Sequence, residues 1–313
     1  MKTISLILSI ILSYSVMAQD STTIEVGTFN IRFFPCNQDG EMMKSYDINM
    51  TYPPEGFATD TTRLFELLKD LDIEVLGVQE IVDPPLFGAM AKRHLGNNFE
   101  FIYASAESWQ KVGILYDTTA VRLIGEPLIY WEVALDTPNR LRPAFHAYFK
   151  TIPNGFDFHV IVVHLKSSPK SYDVRQAQWR ELAKIMNQLP KNEKKDSDII
   201  LLGDFNHVSE LRAGEFLPVL DSLDFYWTVG ANMTIVSNYW RPDWQKPELK
   251  SSNIDQIFIS RDATEEFKPA SLKVGGLCSD GHRQISGEFP DYYQKISDHC
   301  PVYVSFRGSQ DND

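Results

Sequence analysis

The strongest constraint on how this chain can fold is a series of short β-forming runs with uneven spacing. Apolar or alternating stretches lie at 23–31, 73–78, 99–104, 112–116, 144–150, 157–165, 198–202, 254–259 and 301–306, rich in branched and aromatic side chains. Helical periodicity fills some of the gaps. Residues 60–71 open on Asp60 and Thr61, good capping residues, and set Leu64, Leu67, Leu68 and Leu71 on one face. Residues 172–189 align Trp179, Leu182, Ala183, Met186 and Leu189, with Pro190 as the expected stop. Between 99 and 165 the strands follow one another without helices. Such a mixture implies an α/β fold in which two mixed sheets pack face to face with helices outside. Chemistry then gathers at one rim, where strands end.

The polar residues fall at those ends. Asn30 ends the first run, Glu80 follows Val75-Leu76-Gly77-Val78, and His164 ends Val160-Ile161-Val162-Val163 with Lys166 just beyond. Gly203-Asp204-Phe205-Asn206 follows a wholly apolar strand; Gly203 permits a sharp turn, and Asp204 and Asn206 project to one side of an extended segment. An Asx turn is the plain alternative for that string. Asp255 follows Ser252-Asn253-Ile254, and Asp298-His299 precedes the last strand. A carboxylate bonded to an imidazole raises its basicity and fixes its tautomer, so Asp255 with His299 supplies a general acid. Glu80 supplies a hard oxygen ligand. Without a Cys/His cluster, such ligands favour Mg2+, with Mn2+ or Ca2+ as substitutes, over structural zinc. Acids, amides and imidazoles in this proportion suit metal-assisted hydrolysis of a phosphate ester.

The order Asn30, Glu80, His164, Asp204/Asn206, Asp255, Asp298/His299 resembles the endonuclease/exonuclease/phosphatase superfamily, the deoxyribonuclease I-like proteins, over residues 24 to 306. The resemblance implies a four-layer sandwich of two packed mixed β-sheets flanked by helices. It also implies roles. Glu80 resembles the principal metal ligand, with Asn30 and Asp298 beside the metal. Asp204 resembles the group that orients or deprotonates the water, Asn206 a phosphate contact, Asp255 the partner of His299, and His164 the second active-site histidine. Arg142, before Pro143, resembles a phosphate-binding arginine, and Arg32 and Lys166 are further substrate-binding candidates. Two departures stand out: the superfamily's glutamate partner for the second histidine is missing near Lys111, and Val82 stands where a groove-reading arginine is expected.

Composition narrows the setting. The 313 residues are 43% hydrophobic and 23% charged, ordinary for a globular protein, and no linker or repeat divides them. The run at 191–196 reads as a solvated loop, leaving one domain over 19–313. Lys2, the apolar stretch 4–16 and Val16-Met17-Ala18 before Gln19 have the layout of a secretory signal peptide at 1–18. An uncleaved anchor is the alternative, although the stretch is short for a span. The expectation is a secreted or periplasmic monomer without membrane insertion or protein partner. Three cysteines cannot all pair within the chain; Cys36 with Cys278 is a candidate disulfide, with Cys300 packed by the last strand, and three free thiols is the alternative. A net charge of -12 opposes non-specific coating of nucleic acid but leaves it open as substrate. The expected function is an exported metal-dependent phosphodiesterase, a nuclease cutting DNA or RNA, with a lipid head group or small phosphoester as the alternative substrate. Trp227, Tyr239, Trp240 and Trp244 either stack on bases or fold their loop onto the body.

Overall fold

In chain order the elements are β1 Thr23–Phe34, α1 Thr61–Leu71, β2 Val75–Ile81, α2 Pro84–His94, β3 Phe99–Tyr103, β4 Lys111–Asp117, β5 Val121–Leu123, β6 Leu128–Tyr130, β7 Ala144–Thr151 and β8 Asp157–His164. There follow α3 Tyr172–Asn192, β9 Ile199–Asp204, α4 Leu217–Leu223, β10 Phe225–Trp227, β11 Asn238–Trp240, β12 Glu248–Ser252, β13 Asp255–Ser260, β14 Lys273–Val274, β15 Gln284–Ser286, α5 Asp291–Lys295 and β16 Val302–Arg307. This computed structural model describes residues 23–36, 58–135, 141–153, 155–192, 197–207, 216–230, 235–309 and 311. The leader expected at 1–18 and the charged run from 193 lie outside the described residues.

Two large mixed sheets form the body. One has six strands in the order β14-β16-β1-β2-β4-β3, and the other runs β10-β13-β9-β8-β7-β5 with β6 also on β7. Within each, one parallel pair (β1 with β2, β8 with β9) sits among antiparallel neighbours. Strand alternation decides what faces what. Val26, Ile114, Val160, Val162, Ile200, Leu202, Ile257 and Val304 point between the sheets and form one core. Each such burial stabilises by about 1.5–3 kcal/mol. The outward set of the first sheet packs on Leu64, Phe65 and Leu68 of α1 and Phe87 of α2. That of the second meets Trp179, Leu182 and Met186 of α3 and Leu220 of α4. The result is the expected four layers. A Cβ on Gly77 of β2 would lie 2.3 Å from the Leu202 side chain, so a glycine lets the two sheets approach there.

Several features differ from the sequence reading. A third, three-stranded sheet, β11-β12-β15, was not anticipated. Nor was α2, although Asp83, whose side chain accepts the Leu86 amide, followed by Pro84 at the first turn, is a legible start signal. α3 runs two residues past Pro190, so the proline removes one amide from the last turn without ending the helix. The disulfide joins Cys278 to Cys300 and leaves Cys36 buried outside it, which corrects the Cys36–Cys278 pairing. The reason is topological: β14 pairs with β16, and Gly275 donates its amide to Pro301, bringing the segment before Cys278 alongside Cys300. Among the described residues no helix is long and apolar enough to cross a membrane.

Candidate active site

The inward-facing rows of the strands end in polar residues at one rim. Along β8 the row is Val160, Val162, His164; along β9 it is Ile200, Leu202, Asp204; along β13 it is Ile259, Ile257, Asp255. Register makes these three direct neighbours, since His164 pairs with Asp204 and Asp204 with Asp255. From the facing sheet, β1 contributes Asn30 by the same alternation. Gly203 turns the β9 backbone with φ 145°, and a Cβ there would lie 2.0 Å from the Val163 carbonyl oxygen.

Glu80 breaks the pattern. Regular alternation would send it outward with Leu76 and Val78, but it sits at a bulge with φ 60°, and the β1–β2 register shifts between Asn30 and Phe34. The bulge re-aims its carboxylate to the rim, with Oε1 3.8 Å from His164 Nε2.

Asp204 is the hub. Its Oδ2 accepts from Asn30 Nδ2 at 3.1 Å and lies 3.4 Å from His164 Nε2 and 3.9 Å from His299 Nε2. Its Oδ1 accepts the Asn206 amide, and Asn206 Nδ2 donates to the Leu165 carbonyl. His299 Nδ1 bonds Asp255, at 2.9 and 3.1 Å to its two oxygens, and this fixes the tautomer so that Nε2 faces Asp204. Burial alone would lower the His299 pKa, but the Asp255 charge and hydrogen bond, with Asp298 and Asp204 behind them, raise it to about 10. Asp204 goes up to about 7 through burial first, then the Asp255 and Glu80 charges, against the opposing His299 charge and Asn30 bond. Burial, then the Asp298 charge, raises Glu80. His164 is held neutral by burial, and by the nearby Arg142 and His299 charges.

The substrate-binding candidates separate. Arg142 donates to the Leu165 carbonyl, and its buried Nε has no hydrogen-bond partner among the described residues. Lys166 is half-buried at the same rim, its amide donating to Gln178 Oε1. Arg32 turns instead beneath the site: 2% exposed, it donates to the Gln294 carbonyl, lies 3.8 Å from Asp298 Oδ1 and covers the Tyr293 ring. Lys111 is buried with its ammonium on the Ser108 carbonyl. His164 Nδ1 correspondingly has no hydrogen-bond partner among the described residues, as the missing glutamate implies. Val82 is fully buried. Of the loop aromatics, Tyr239 is buried with its hydroxyl on the His282 carbonyl and Trp227 bonds Gln256, whereas Trp240 and Trp244 are exposed.

Sequence reading missed the support beneath the dyad. Ser237 Oγ donates to Asp255 Oδ2 and accepts the amides of Ile254 and Asp255. Ser297 Oγ donates to the Asn30 carbonyl and accepts the His299 amide. Nothing local in the sequence marks Ser237, whereas Ser297 adjoins the Asp298-His299 motif.

The donor set suits a hard divalent cation. Two of its carboxylates are destabilised by burial and mutual repulsion, and Asp298 Oδ1 is buried without a hydrogen-bond partner among the described residues. Asp204, Asp255 and His299 also offer atoms within 4.8 Å of one another, but Asp255 is already committed to His299 and Ser237. That leaves Glu80, Asn30 and Asp298 as the better ligands.

Known proteins share the fold and, by sequence, the family. A search of curated proteins found no significant match. Among solved structures, an endonuclease/exonuclease/phosphatase family protein from Bacteroides thetaiotaomicron is 18% identical, with 91% of this chain and 95% of that one covered at a TM-score of 0.58. A mannosyl-6-phosphatase from the same organism is 18% identical, covering 90% and 99% at 0.58. D. rerio TDP2 complexed with single strand DNA product is 16% identical, covering 91% and 99% at 0.60. These likenesses speak for the fold. The family model described as Endonuclease/Exonuclease/phosphatase family matches residues 27–299, nearly the whole described fold, and the chain therefore belongs to that family, whose members are phosphoester hydrolases.

Proposed function

We propose that this protein is an exported, divalent-metal-dependent phosphodiesterase that hydrolyses nucleic acid strands. The observation that carries the reading is the convergence of Asp255, His299 and Asp204 with Asn30 and Glu80 at one rim. Arg142, with its unpartnered Nε, receives the phosphate of the scissile ester. Asp204 orients a water and takes its proton as the oxygen attacks phosphorus; a group shifted to about 7 suits that task near neutral pH. The bond from phosphorus to the leaving oxygen breaks, and His299 Nε2 gives that oxygen its proton, while Asp255 steadies the imidazole. Neutral His164 and Asn206 line the pocket on the phosphate side. Glu80, Asn30 and Asp298 would hold Mg2+, which when bound supplies Lewis-acid neutralisation of phosphate charge. Export rests on the sequence at 1–18.

A second reading, hydrolysis of a small phosphoester, is favoured by the likeness to a mannosyl-6-phosphatase and by the net charge of -12. A panel of single-stranded DNA, RNA, plasmid, a hexose phosphate and sphingomyelin, each with Mg2+ or EDTA, separates the two. Cleavage of a nucleic acid in Mg2+ and none in EDTA is expected. Phosphate release from the sugar ester alone would establish the second reading and end the first.

A further inference from the structure

β1 and β2 run in parallel register through Asn30 and Gln79, then resume at Phe34 and Ile81, so residues 31–33 on one strand oppose Glu80 alone on the other. Arg32, Phe33 and Glu80 all have positive φ, at 28°, 53° and 60°. Side chains seldom adopt such backbone, and it persists only where the surroundings enforce it. The outcome is chemically pointed. The Arg32 amide donates to Asn30 Oδ1 at 3.0 Å and the Phe33 amide to Glu80 Oε2 at 3.2 Å. Two successive amides thus serve the two groups assigned above to the ion. With Oε2 held by Phe33, Oε1 is left facing His164 Nε2.

The enforcement has two sources. The Arg32 side chain is fixed by the Gln294 carbonyl and the Tyr293 ring. The Phe33 ring lies on Trp109, with centroids 5.2 Å apart and planes within 13°. Trp109 belongs to the connection between β3 and β4, which is tied down by the Lys111 ammonium on the Ser108 carbonyl and by the Ala104 amide on Val112. A ring stacked, offset and near-parallel, on an anchored neighbour has lost its freedom to swing, and its backbone follows.

We propose that Trp109 is a positioning residue for Glu80, acting through the Phe33 ring and amide to set the carboxylate that receives the divalent ion. The inference rests on Glu80 being an ion ligand. Removing the stack frees the bulge, and Glu80 loses the amide that orients it. A hydrogen-bond partner behind a ligand typically changes metal affinity by about 10- to 100-fold.

The test is Mn2+ binding to the full protein by titration calorimetry, for wild type, Trp109→Leu, Phe33→Leu, Trp109→Phe and Glu80→Gln, with each variant's Tm recorded. Trp109→Leu and Phe33→Leu are expected to weaken binding about tenfold or more, and Trp109→Phe, which keeps a stacking ring, to restore most of it. The Mn2+ concentration for half-maximal rate rises in step, while the rate at saturating Mn2+ recovers. Should Trp109→Leu not fold, Phe33→Leu reads the same quantity. A folded leucine variant that binds Mn2+ as tightly as wild type, with Glu80→Gln impaired, overturns the positioning role alone. Wild-type affinity in Glu80→Gln removes the ligand assignment, and the inference with it.

Discussion

His299 owes its charge to its neighbours, and single substitutions read that dependence directly. Burial pushes the imidazole toward neutrality, and Asp255 reverses it, holding the proton to about 10. In Asp255→Asn that support goes. A pH–rate profile should then show the alkaline limb moved well toward neutral pH, with turnover down about 10²- to 10⁴-fold; an unmoved limb would detach Asp255 from the acid. Ser237 offers a quieter probe. Its hydroxyl serves one carboxylate oxygen and two amides; Ser237→Ala takes the acceptor from the two buried amides and leaves Asp255 Oδ2 with the His299 Nδ1 donor. Urea denaturation should register a loss of about 1–3 kcal/mol, with a smaller effect on rate than Asp255→Asn. At this scale the sequence was partly legible. Asp204, Asp255, His164 and His299 carry their signal in local strings, because alternation along an apolar strand ends on them. Ser237 carries none: it reaches Asp255 across 18 residues of chain, and spacing alone does not encode such a contact. Arg32 illustrates the opposite error. Its place after Asn30 suggests substrate, but a left-handed backbone turns it under the site to Gln294.

Elements position these residues through close approach. β9 lies tight against β8 at Gly203, where any Cβ meets the Val163 carbonyl oxygen at 2.0 Å and the backbone needs φ 145°. Gly203→Ala adds overpacking to strain, and should cost about 3 kcal/mol or more, seen as a large fall in Tm or loss of folded protein. The segment 276–280 is stapled to the start of β16 by the Cys278–Cys300 disulfide, next to His299. Closing a loop of 22 residues stabilises by about 3 kcal/mol in the chain-entropy view. The Cys278→Ser/Cys300→Ser pair should lose about that much in chemical denaturation. The pairing was not legible, because it depends on β14 lying beside β16, and β14 is only two residues long. The small third sheet escaped for the same reason. Its strands are short and polar, and tertiary contacts define them more than pattern does. The helices α1 and α3 were legible because an apolar stripe must face a sheet.

Over the whole molecule the layer order followed from pattern, since strands buried on both faces and one-sided helices admit few arrangements. The strand-end place of Glu80 was legible but its facing was not, because a bulge inverts the face its neighbours dictate. The acidic balance has consequences away from the site too. Glu74, just before β2, accepts the Glu25 amide at 2.6 Å, yet its pKa is raised from 4.5 to about 7, by burial first and then by the charges of Asp72 and Glu25. An acid raised on folding binds its proton more tightly in the native state, so stability falls as pH climbs from about 4.5 through about 7. Glu74→Gln should therefore raise Tm relative to wild type at pH 8 and leave it unchanged near pH 4. The central claim is that distant segments form one hydrolytic site in which His299 gives the leaving oxygen its proton. Its most direct test is the turnover of His299→Ala on a cleaved phosphodiester in saturating Mg2+. Turnover should fall about 10²- to 10⁴-fold at unchanged Tm; a folded variant turning over within about twofold of wild type, far short of a lost general acid, would contradict that role for His299.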